Sequence, residues 1–142
     1  FLLTYPEESA FTAHQETAFV KEKEQSENTI EICAIVGERV VGTAGFAPVG
    51  NQEKLRYRAE FGIAIEKAYW GKGIGRALTL ACIECAKKAG FLQLELDVVA
   101  ENEAAIGLYA SVGFQEFGRN PKGFRSRHGW QELVLMRLEL DR

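Results

Sequence analysis

The chain has 142 residues, of which 46% are hydrophobic and 26% charged, and its formal net charge is −3. This length suits one domain with a buried core, and the slightly acidic balance argues against nucleic-acid binding, which usually relies on a basic surface. No apolar run approaches the ~18–20 residues that a membrane-spanning helix requires. We therefore expect a globular protein that binds neither nucleic acid nor membrane.

The first predicted elements are a surface helix and a β-hairpin. Apolar and charged residues over 12–23 have spacings compatible with a helix on the surface, and a polar break follows at 25–28. The apolar segment 30–36 predicts a strand, Gly37-Glu38-Arg39 predicts a turn, and the segment 40–46 predicts the returning strand. These two strands form the predicted hairpin.

The next predicted strand, over residues 57–65, has two different faces because side chains alternate along a strand. One face carries the larger apolar residues Ala59, Phe61, Ile63 and Ile65. The other face carries Arg58, Glu60, Gly62 and Ala64. Small side chains beside one acid would let a ligand lie close to this second face.

From Ile74 onward the apolar period changes from two to about 3.6, which predicts a long helix that ends at Gly90. A strand over 92–98 and a short helix over about 102–111 follow. The remaining predicted elements are a strand at 114–118, a loop rich in glycine and arginine, and a last strand at 131–140. The order β-β-β-α-β-α-β-β predicts a mixed α/β sheet in one domain.

The three cysteines indicate a reducing cellular compartment rather than a metal or redox site. Cys33, Cys82 and Cys85 are an odd set, and the apolar start Phe1-Leu2-Leu3 is too short and lacks the basic flank of a signal peptide. A reducing, cytoplasmic compartment is the simplest interpretation. Cys82 and Cys85 form a C-x-x-C pair without a second ligand pair, and they lie on the apolar stripe of the long helix. We therefore expect buried thiols and no metal site.

A glycine-rich loop, Tyr69-Trp70-Gly71-Lys72-Gly73-Ile74-Gly75-Arg76, joins the 57–65 strand to the long helix. Glycines let the backbone turn with its N–H groups directed inward, and the helix that follows adds the positive end of its dipole. Together these features predict an anion site suited to a diphosphate, with Lys72 and Arg76 at its rim.

Three other interpretations of this loop are a P-loop, a dinucleotide-binding loop and a simple tight turn. A P-loop requires Gly-Lys followed by Ser or Thr, which the loop lacks. A dinucleotide fingerprint requires G-x-G-x-x-G and an acid about 20 residues on; the spacing here is G-x-G-x-G, although Glu95 and Asp97 lie near the required distance. The glycines could also serve only a tight turn.

The loop resembles the acetyl-CoA signature of the GNAT superfamily of N-acetyltransferases, R/Q-x-x-G-x-G/A, which that family places between a strand and a helix. Gly73-Ile74-Gly75 match its last positions, and Trp70 stands where Arg or Gln is usual. A second segment, 94–114, is similar to the family's pattern of a strand followed by Asn, Ala, Leu-Tyr and Gly-Phe. The two signatures lie in the expected order, and the resemblance is clearest over residues 30–118.

The resemblance implies a single-domain GNAT-like mixed β-sheet flanked by helices. It further implies that acetyl-CoA is the co-substrate and that a primary amine attacks it directly in a ternary complex, without a metal. Family members usually begin with a further strand and helix before the segment that corresponds to 12–23, and we find neither in this sequence.

The resemblance also assigns cofactor-binding residues. It implies that the pantetheine arm pairs like an added strand with the backbone of Ile63, Ala64 and Ile65. It implies that the diphosphate is held by the loop residues Gly71, Lys72, Gly73, Ile74, Gly75 and Arg76. Asn102 would lie near the pantetheine arm, or cap the short helix, or do both.

Tyr109 is the leading catalytic candidate, by its place in the second motif. A phenol with a pKa near 10 stays protonated at pH 7, so it could donate a proton to the departing CoA sulfur; the alternative is a core aromatic. Glu60 is the leading candidate for the base, since it resembles the strand acid that some family members use through water. Asp97 is its rival, and proton loss to water without a dedicated base is the third possibility.

Partners and alternative functions complete the expectations. We expect a small-molecule amine or a protein amine as acceptor, and Trp130 with the β-rich C-terminal end is compatible with a homodimer. A basic cluster before the last strand is either a solvated loop or a contact for CoA phosphates or an acidic acceptor; it comprises Arg119, Lys122, Arg125, Arg127 and His128. The alternative functions are a non-catalytic CoA-binding sensor and a nucleotide-dependent oxidoreductase.

Overall fold

A computed structural model describes the backbone of residues 2–4, 11–13, 16–26, 29–50 and 52–140, and the side chains of the last two ranges. The described residues form nine strands and two α-helices. The strands are β1 (Leu2–Thr4), β2 (Phe11–Ala13), β3 (Glu16–Ser26), β4 (Thr29–Val36), β5 (Arg39–Pro48), β6 (Arg58–Ile65), β7 (Gln93–Val99), β8 (Gln115–Ser126) and β9 (Gly129–Glu139). The helices are α1 (Ile74–Lys88) and α2 (Glu103–Ser111).

The strands form one mixed sheet. Their order is β1-β3-β4-β5-β6-β7-β9-β8, and β2 pairs with β3 beside this path. Only β6 and β7 run parallel, and α1 connects them as the crossover that a parallel pair requires. From β4 to β9 the elements follow the predicted order, so the prediction of a mixed α/β sheet is confirmed.

The core lies between one face of the sheet and the two helices. Ala59 and Phe61 of β6 pack there with Leu78 of α1 and Tyr109 of α2, and all four side chains are buried. The alternation predicted for β6 is confirmed, because Glu60, Gly62 and Ala64 are exposed on the opposite face. We call that opposite face, which carries Thr43, Gly45, Glu60, Gly62 and Ala64, the open face.

Helix α1 follows its predicted boundaries, but its buried face is rotated from the predicted one. The predicted apolar stripe comprises Ile74, Ala77, Leu78, Ala81, Cys82, Cys85 and Ala89. It begins after Gly73 and ends at Lys88, before Gly90, whose φ of +92° suits the left-handed position that was expected there. Cys82 is buried and Cys85 half-buried, whereas Ala89 is exposed. The buried side chains of α1 are Ile74, Leu78, Thr79, Cys82, Ile83 and Ala86.

Two predictions about the N-terminal part are wrong. Residues 16–26 form strand β3, not a helix, because they pair antiparallel with β4 from Ala18 to Ser26. The chain also has a strand before residue 12, since Leu2–Thr4 pairs with β3. The expected absence of a further helix concerns residues that lie outside the described ones.

The prediction of a glycine- and arginine-rich loop is also wrong, because β8 runs through this segment to Ser126 and pairs with β9. The pairing register shifts between Asn120 and Phe124, at the Pro-Lys-Gly segment. Since proline has no N–H to donate to a ladder, an irregularity at this point of an outer strand is expected. The basic cluster therefore lies on a β-hairpin.

Candidate active site

A cleft opens in the sheet between β6 and β7. The two strands pair at only three positions, of which the last is Glu60 with Glu95, although β6 continues to Ile65 and β7 to Val99. Over its whole length β7 stays paired with β9. The strands therefore separate after Glu60, and the second half of β6 has an edge without a partner strand.

A network of charged side chains joins the two strands where the cleft begins. The Arg58 guanidinium forms a bidentate pair with the Glu95 carboxylate, with Nη2 2.6 Å from Oε1. Gln93 donates to the same carboxylate at 2.7 Å and accepts from Arg137 at 2.6 Å. The hydrogen bond from Arg58 lowers the pKa of Glu95 below its usual value, so this carboxylate stays ionised and is committed to the network.

The hydrogen-bonding directions of β6 show which backbone groups line the cleft. The Tyr57 carbonyl accepts from Leu92 and Gln93 on the β7 side, whereas the Arg58 carbonyl accepts from Val49 on the β5 side. Because these directions alternate along a strand, the odd-numbered residues of β6 direct their N–H and C=O groups toward β7. At the unpaired edge, these residues are Ile63 and Ile65.

Ala64 does not fit the role expected for its backbone. It is the partner of Thr43 on β5, and by the same alternation its N–H and C=O groups point to β5 and away from the cleft. Its methyl group lies on the open face, where it is exposed. A contribution of Ala64 to ligand binding would therefore come from its small side chain.

Trp70 makes a contact that the sequence did not suggest. Its indole Nε1 donates to the carbonyl oxygen of Ile65, the last residue of β6, at 2.9 Å. Trp70 as a whole is 62% exposed. The residue that replaces the Arg or Gln of the family pattern thus binds the end of the strand that borders the cleft.

The glycine loop presents a run of unused backbone donors. The first backbone N–H bond within α1 goes from Ala77 to the Gly73 carbonyl, and no N–H group from Gly71 to Arg76 has an acceptor in the described structure. Gly71 and Gly73 have φ values of +77° and +84°, which favour glycine. The loop and the start of α1 therefore form a concentrated donor site beside the cleft.

Gly75 is required for a different reason, which is close packing. A Cβ at this position would lie 3.1 Å from Leu108 Cδ2 and 3.2 Å from Ile65 Cδ1. The absence of a side chain thus lets the first turn of α1 approach both α2 and the end of β6. Arg76, one residue on, donates to Ser111 Oγ at 3.0 Å and so ties the loop to α2.

Asn102 caps α2. Its Oδ1 accepts from the Ala105 N–H at 3.2 Å, and its own N–H donates to the Val99 carbonyl at 2.9 Å. The predicted N-cap is therefore confirmed, and the cap fixes α2 against the separated end of β7. A contact between Asn102 and the pantetheine arm stays a prediction.

Tyr109 lies in α2 with its ring in the core and its hydroxyl toward solvent. Only 6% of the residue is exposed. In the described structure the hydroxyl makes no hydrogen bond and no buried side-chain oxygen lacks a partner, so this hydroxyl must reach accessible space. Burial raises the pKa of Tyr109 above 10.0, which keeps the phenol protonated at neutral pH.

The two candidate bases lie on the other side of the sheet from Tyr109. Glu60 is exposed on the open face and has no ion-pair partner among residues 29–50 and 52–140. It lines a shallow groove of about 550 Å³. The other groove residues on this face are Thr29, Glu31, Thr43, Gly45, Ala47, Gly62 and Ala64. Asp97 is exposed on β7 but does not line this groove.

The basic cluster is largely engaged in local contacts. Arg119 forms ion pairs with Glu116 and Glu132, each at 2.9 Å. Lys122 Nζ and Arg125 Cζ lie 5.9 Å and 5.3 Å from the centroid of the Trp130 ring. These contacts hold three of the five members of the cluster within the β8–β9 hairpin.

Within the described part of the chain, no three His, Cys, Asp or Glu side chains come close enough together to hold a metal ion. Neither of its α-helices has the length and apolar character that crossing a bilayer would require.

The chain is similar to known proteins in its sequence. The profile of the acetyltransferase (GNAT) family matches residues 2–114. The L-methionine sulfoximine/L-methionine sulfone acetyltransferase of Salmonella typhimurium is 30% identical over 102 residues, which cover 72% of this chain and 60% of that enzyme. The chain spans from 32% to 60% of the length of four curated relatives that it matches.

Solved structures agree with the family profile. An acetyltransferase of the GNAT family from Streptococcus pneumoniae superposes with a TM-score of 0.78 and 26% identity, covering 82% of this chain and 70% of that one. A Salmonella typhimurium protein solved with its cofactor acetyl-CoA gives a TM-score of 0.76 and 27% identity, covering 80% of this chain and 66% of that one.

Proposed function

Because the chain belongs to the acetyltransferase (GNAT) family, we propose that it binds acetyl-CoA at the β6–β7 cleft and transfers the acetyl group to a primary amine. The observation that carries this proposal is the adjacency of two unsatisfied backbone surfaces. One is the donor run of the glycine loop, and the other is the unpaired edge of β6. The first suits a diphosphate and the second suits an extended amide-containing arm.

The loop residues hold the diphosphate of the co-substrate in this proposal. The N–H groups of Gly71 to Arg76 donate to the phosphate oxygens, and the N-terminal dipole of α1 favours the negative charge. Lys72 adds a positive charge to the same loop. Arg76 is held by Ser111, so its guanidinium contributes from a fixed position.

The pantetheine arm pairs with the edge of β6. Ile63 offers both its N–H and its C=O, and Ile65 offers its N–H, while the Ile65 carbonyl already accepts from Trp70. A backbone N–H at this edge also polarises the thioester carbonyl and stabilises the oxyanion that forms during attack. The amide of Asn102 lies at the opposite, β7 side of the cleft.

The chemistry uses the two faces of β6 separately. An acceptor amine with a pKa near 10.4 is mostly protonated at neutral pH, so it must lose a proton before it attacks. Glu60 accepts that proton on the open face, directly or through water. The amine nitrogen then bonds to the acetyl carbon, the carbon–sulfur bond breaks, and Tyr109 gives its proton to the departing thiolate. The nitrogen releases its second proton to water as the amide forms, and water returns a proton to the Tyr109 phenolate.

Transfer is direct in this scheme, without an acyl-enzyme. Cys82 and Cys85 are on α1, where Cys82 is buried in the core and so is not available to attack a thioester in the cleft. Asp97 remains the rival base, and water without a dedicated base is the third candidate. The groove beside Glu60 favours Glu60 because Asp97 does not line it.

The acceptor reaches Glu60 through the groove on the open face. Relatives include an acetyltransferase for L-methionine sulfoximine and one for the alanine of ribosomal protein bS18. The groove is shallow and lined by small side chains, which suits either a small amine or an extended peptide N-terminus. We place both in the acceptor class of this protein.

Compartment and assembly are further parts of the proposal. Three cysteines, one of them buried in α1, suit a reducing cytoplasm. A homodimer would use β8, the outer strand of the described sheet, where Phe117, Phe124 and Trp130 of the hairpin are each about half exposed. The net charge of −3 argues against nucleic acid as a partner.

The deciding experiment measures thiol release from acetyl-CoA with a panel of amines that includes small diamines, amino acids and peptides with N-terminal alanine. Amine-dependent release of CoA with an acetylated product supports the enzyme. CoA binding by calorimetry without transfer to any amine would favour the non-catalytic sensor. NAD binding without CoA binding would contradict the proposal altogether.

A further inference from the structure

Trp70 connects the two parts of the proposed cofactor site. It follows the short turn Lys67–Tyr69, with an extended backbone, and its N–H donates to the Lys67 carbonyl at 3.1 Å. Its indole Nε1 donates to the Ile65 carbonyl at 2.9 Å. Both bonds hold the start of the glycine loop against the end of β6.

The hydrogen bond, rather than burial, determines where the indole lies. The residue is 62% exposed, so packing contributes less to its position than for most tryptophans. The Ile65 carbonyl points toward the cleft, where β6 has no partner strand. The indole therefore satisfies an acceptor that no neighbouring strand satisfies.

The loop beyond Trp70 has little other support. A Cβ at Gly71 or Gly73 would meet no atom within 4 Å, so neither residue is held by neighbours on that side. The loop is anchored at its far end by α1 and by the bond from Arg76 to Ser111. At its near end, Tyr69 packs against the core, and the Trp70 contacts fix the last residue before Gly71.

We infer that Trp70 is a positioning residue that holds the glycine loop ready for the diphosphate. This inference rests on the proposed function. The Arg or Gln of the family pattern supplies a polar side chain at this position, whereas Trp70 here binds the strand and leaves the phosphates to the backbone. A loop ordered before binding loses less conformational freedom when the ligand binds.

The test compares two substrates in the variant Trp70→Phe, which keeps an aromatic ring and loses the N–H donor. The KM for acetyl-CoA rises about 3- to 10-fold, the effect of one neutral hydrogen bond, while kcat is unchanged. The KM for S-acetyl-pantetheine, which lacks the diphosphate, is unchanged. An unaltered KM for acetyl-CoA would overturn the inference, and so would an equal rise for both substrates.

A fluorescence titration provides the control and a second readout. The chain has only two tryptophans, so Trp130→Phe leaves Trp70 as the sole indole fluorophore. CoA changes the emission of Trp130→Phe but not that of Trp70→Phe, and Trp130→Phe retains the wild-type KM. Absence of any emission change from Trp70 at saturating CoA would overturn the inference even if Trp70→Phe did not fold.

A calorimetric titration with CoA distinguishes failure of the proposed function from failure of the role of Trp70. If calorimetry detects no CoA binding to the wild-type protein, the proposed function fails. If CoA binds the wild-type protein and Trp70→Phe equally well, the proposed function stands and only the role of Trp70 is wrong.

Discussion

The ring of Tyr109 packs edge-on against the ring of Phe61, with centroids 6.2 Å apart and an interplanar angle of 88°. Phe61 is the first residue of β6 after its last pair with β7. The phenol is therefore attached to the strand that borders the cleft, and Phe114 supports it from a second side at 5.8 Å. Edge-to-face contacts of this kind add to the burial energy and restrict the ring.

Tyr109→Phe should separate catalysis from packing. The ring contacts remain and only the hydroxyl is lost, so we expect kcat to fall about 100-fold, the effect of removing a positioned proton donor, with little change in thermal midpoint. Steady-state kinetics and thermal unfolding measure the two effects. Tyr57→Phe removes an exposed hydroxyl and should leave kcat intact; a similar loss in both variants would contradict the role of Tyr109.

The buried phenol also predicts a loss of stability in alkali. The unfolded chain ionises its tyrosine near 10.0, whereas burial raises the pKa of Tyr109 in the folded protein. Above that pH the unfolded state binds fewer protons than the folded state, so the free energy of unfolding decreases as pH rises and is unaffected below. Denaturant titrations from pH 8 to 11 should show a smaller decrease for Tyr109→Phe than for the wild type.

Glu60→Gln tests the identity of the base. We expect kcat/KM at pH 7 to fall by about 100-fold and the deficit to shrink toward pH 10, where the amine is neutral without help. Asp97→Asn is the matched control, since it removes an exposed carboxylate of the neighbouring strand. A larger loss in Asp97→Asn would transfer the role to Asp97, and no loss in either variant would favour proton transfer to water.

Alanine substitutions at Gly73 and Gly75 test the glycine loop. Gly73→Ala places a Cβ on a backbone with φ of +84°, which should cost about 1–2 kcal/mol of unfolding free energy and raise the KM for acetyl-CoA. Gly75→Ala forces Leu108 and Ile65 to move by a few tenths of an ångström and should be milder. As a control, Gly107→Ala has open space in α2 and should be neutral or stabilising. A loss of stability in Gly107→Ala equal to that in Gly73→Ala would show that positive φ is not the cause.

The Arg58–Glu95 pair should stabilise the protein above mildly acidic pH. Arg58 lowers the pKa of Glu95, so this contribution is complete above 4.5 and is lost as pH falls through the lowered value. Glu95→Gln should cost about 1 kcal/mol at neutral pH, since the Arg58 side chain is 43% exposed, and should flatten the acid limb of the stability curve. An unchanged acid limb would show that other carboxylates dominate acid unfolding.

Local chemistry explains which features could be predicted from the sequence. The alternation of β6 and the glycines before α1 depend on neighbours in the chain, and both are confirmed. The sequence of β3 predicts a helix, which is wrong because the conformation of this segment depends on pairing with β4 rather than on its own periodicity. Pairing of this kind is not visible in a single segment.

Some site residues could be predicted from local sequence, and others could not. Gly73 and Asn102 could be found because turns and helix caps have residue preferences. Two contacts depend on three-dimensional placement: the bond from Trp70 to Ile65 and the pair of Arg58 with Glu95. The unusual residue at position 70 is a signal in the sequence for the first contact, and the second has none. The reversed backbone direction of Ala64 required the register of β6, which its alternation did not reveal.

The separation of β6 and β7 leaves an unpaired edge inside the sheet. Exposed edges at the outside of a sheet invite other chains to add strands, which is a common route to aggregation. Here β5 lies on one side of β6, while β7 and β9 continue beyond the gap, so an incoming strand would meet protein on both flanks. Because this edge is enclosed by the sheet, it is less open to strand addition by other copies of the chain than an outer edge is.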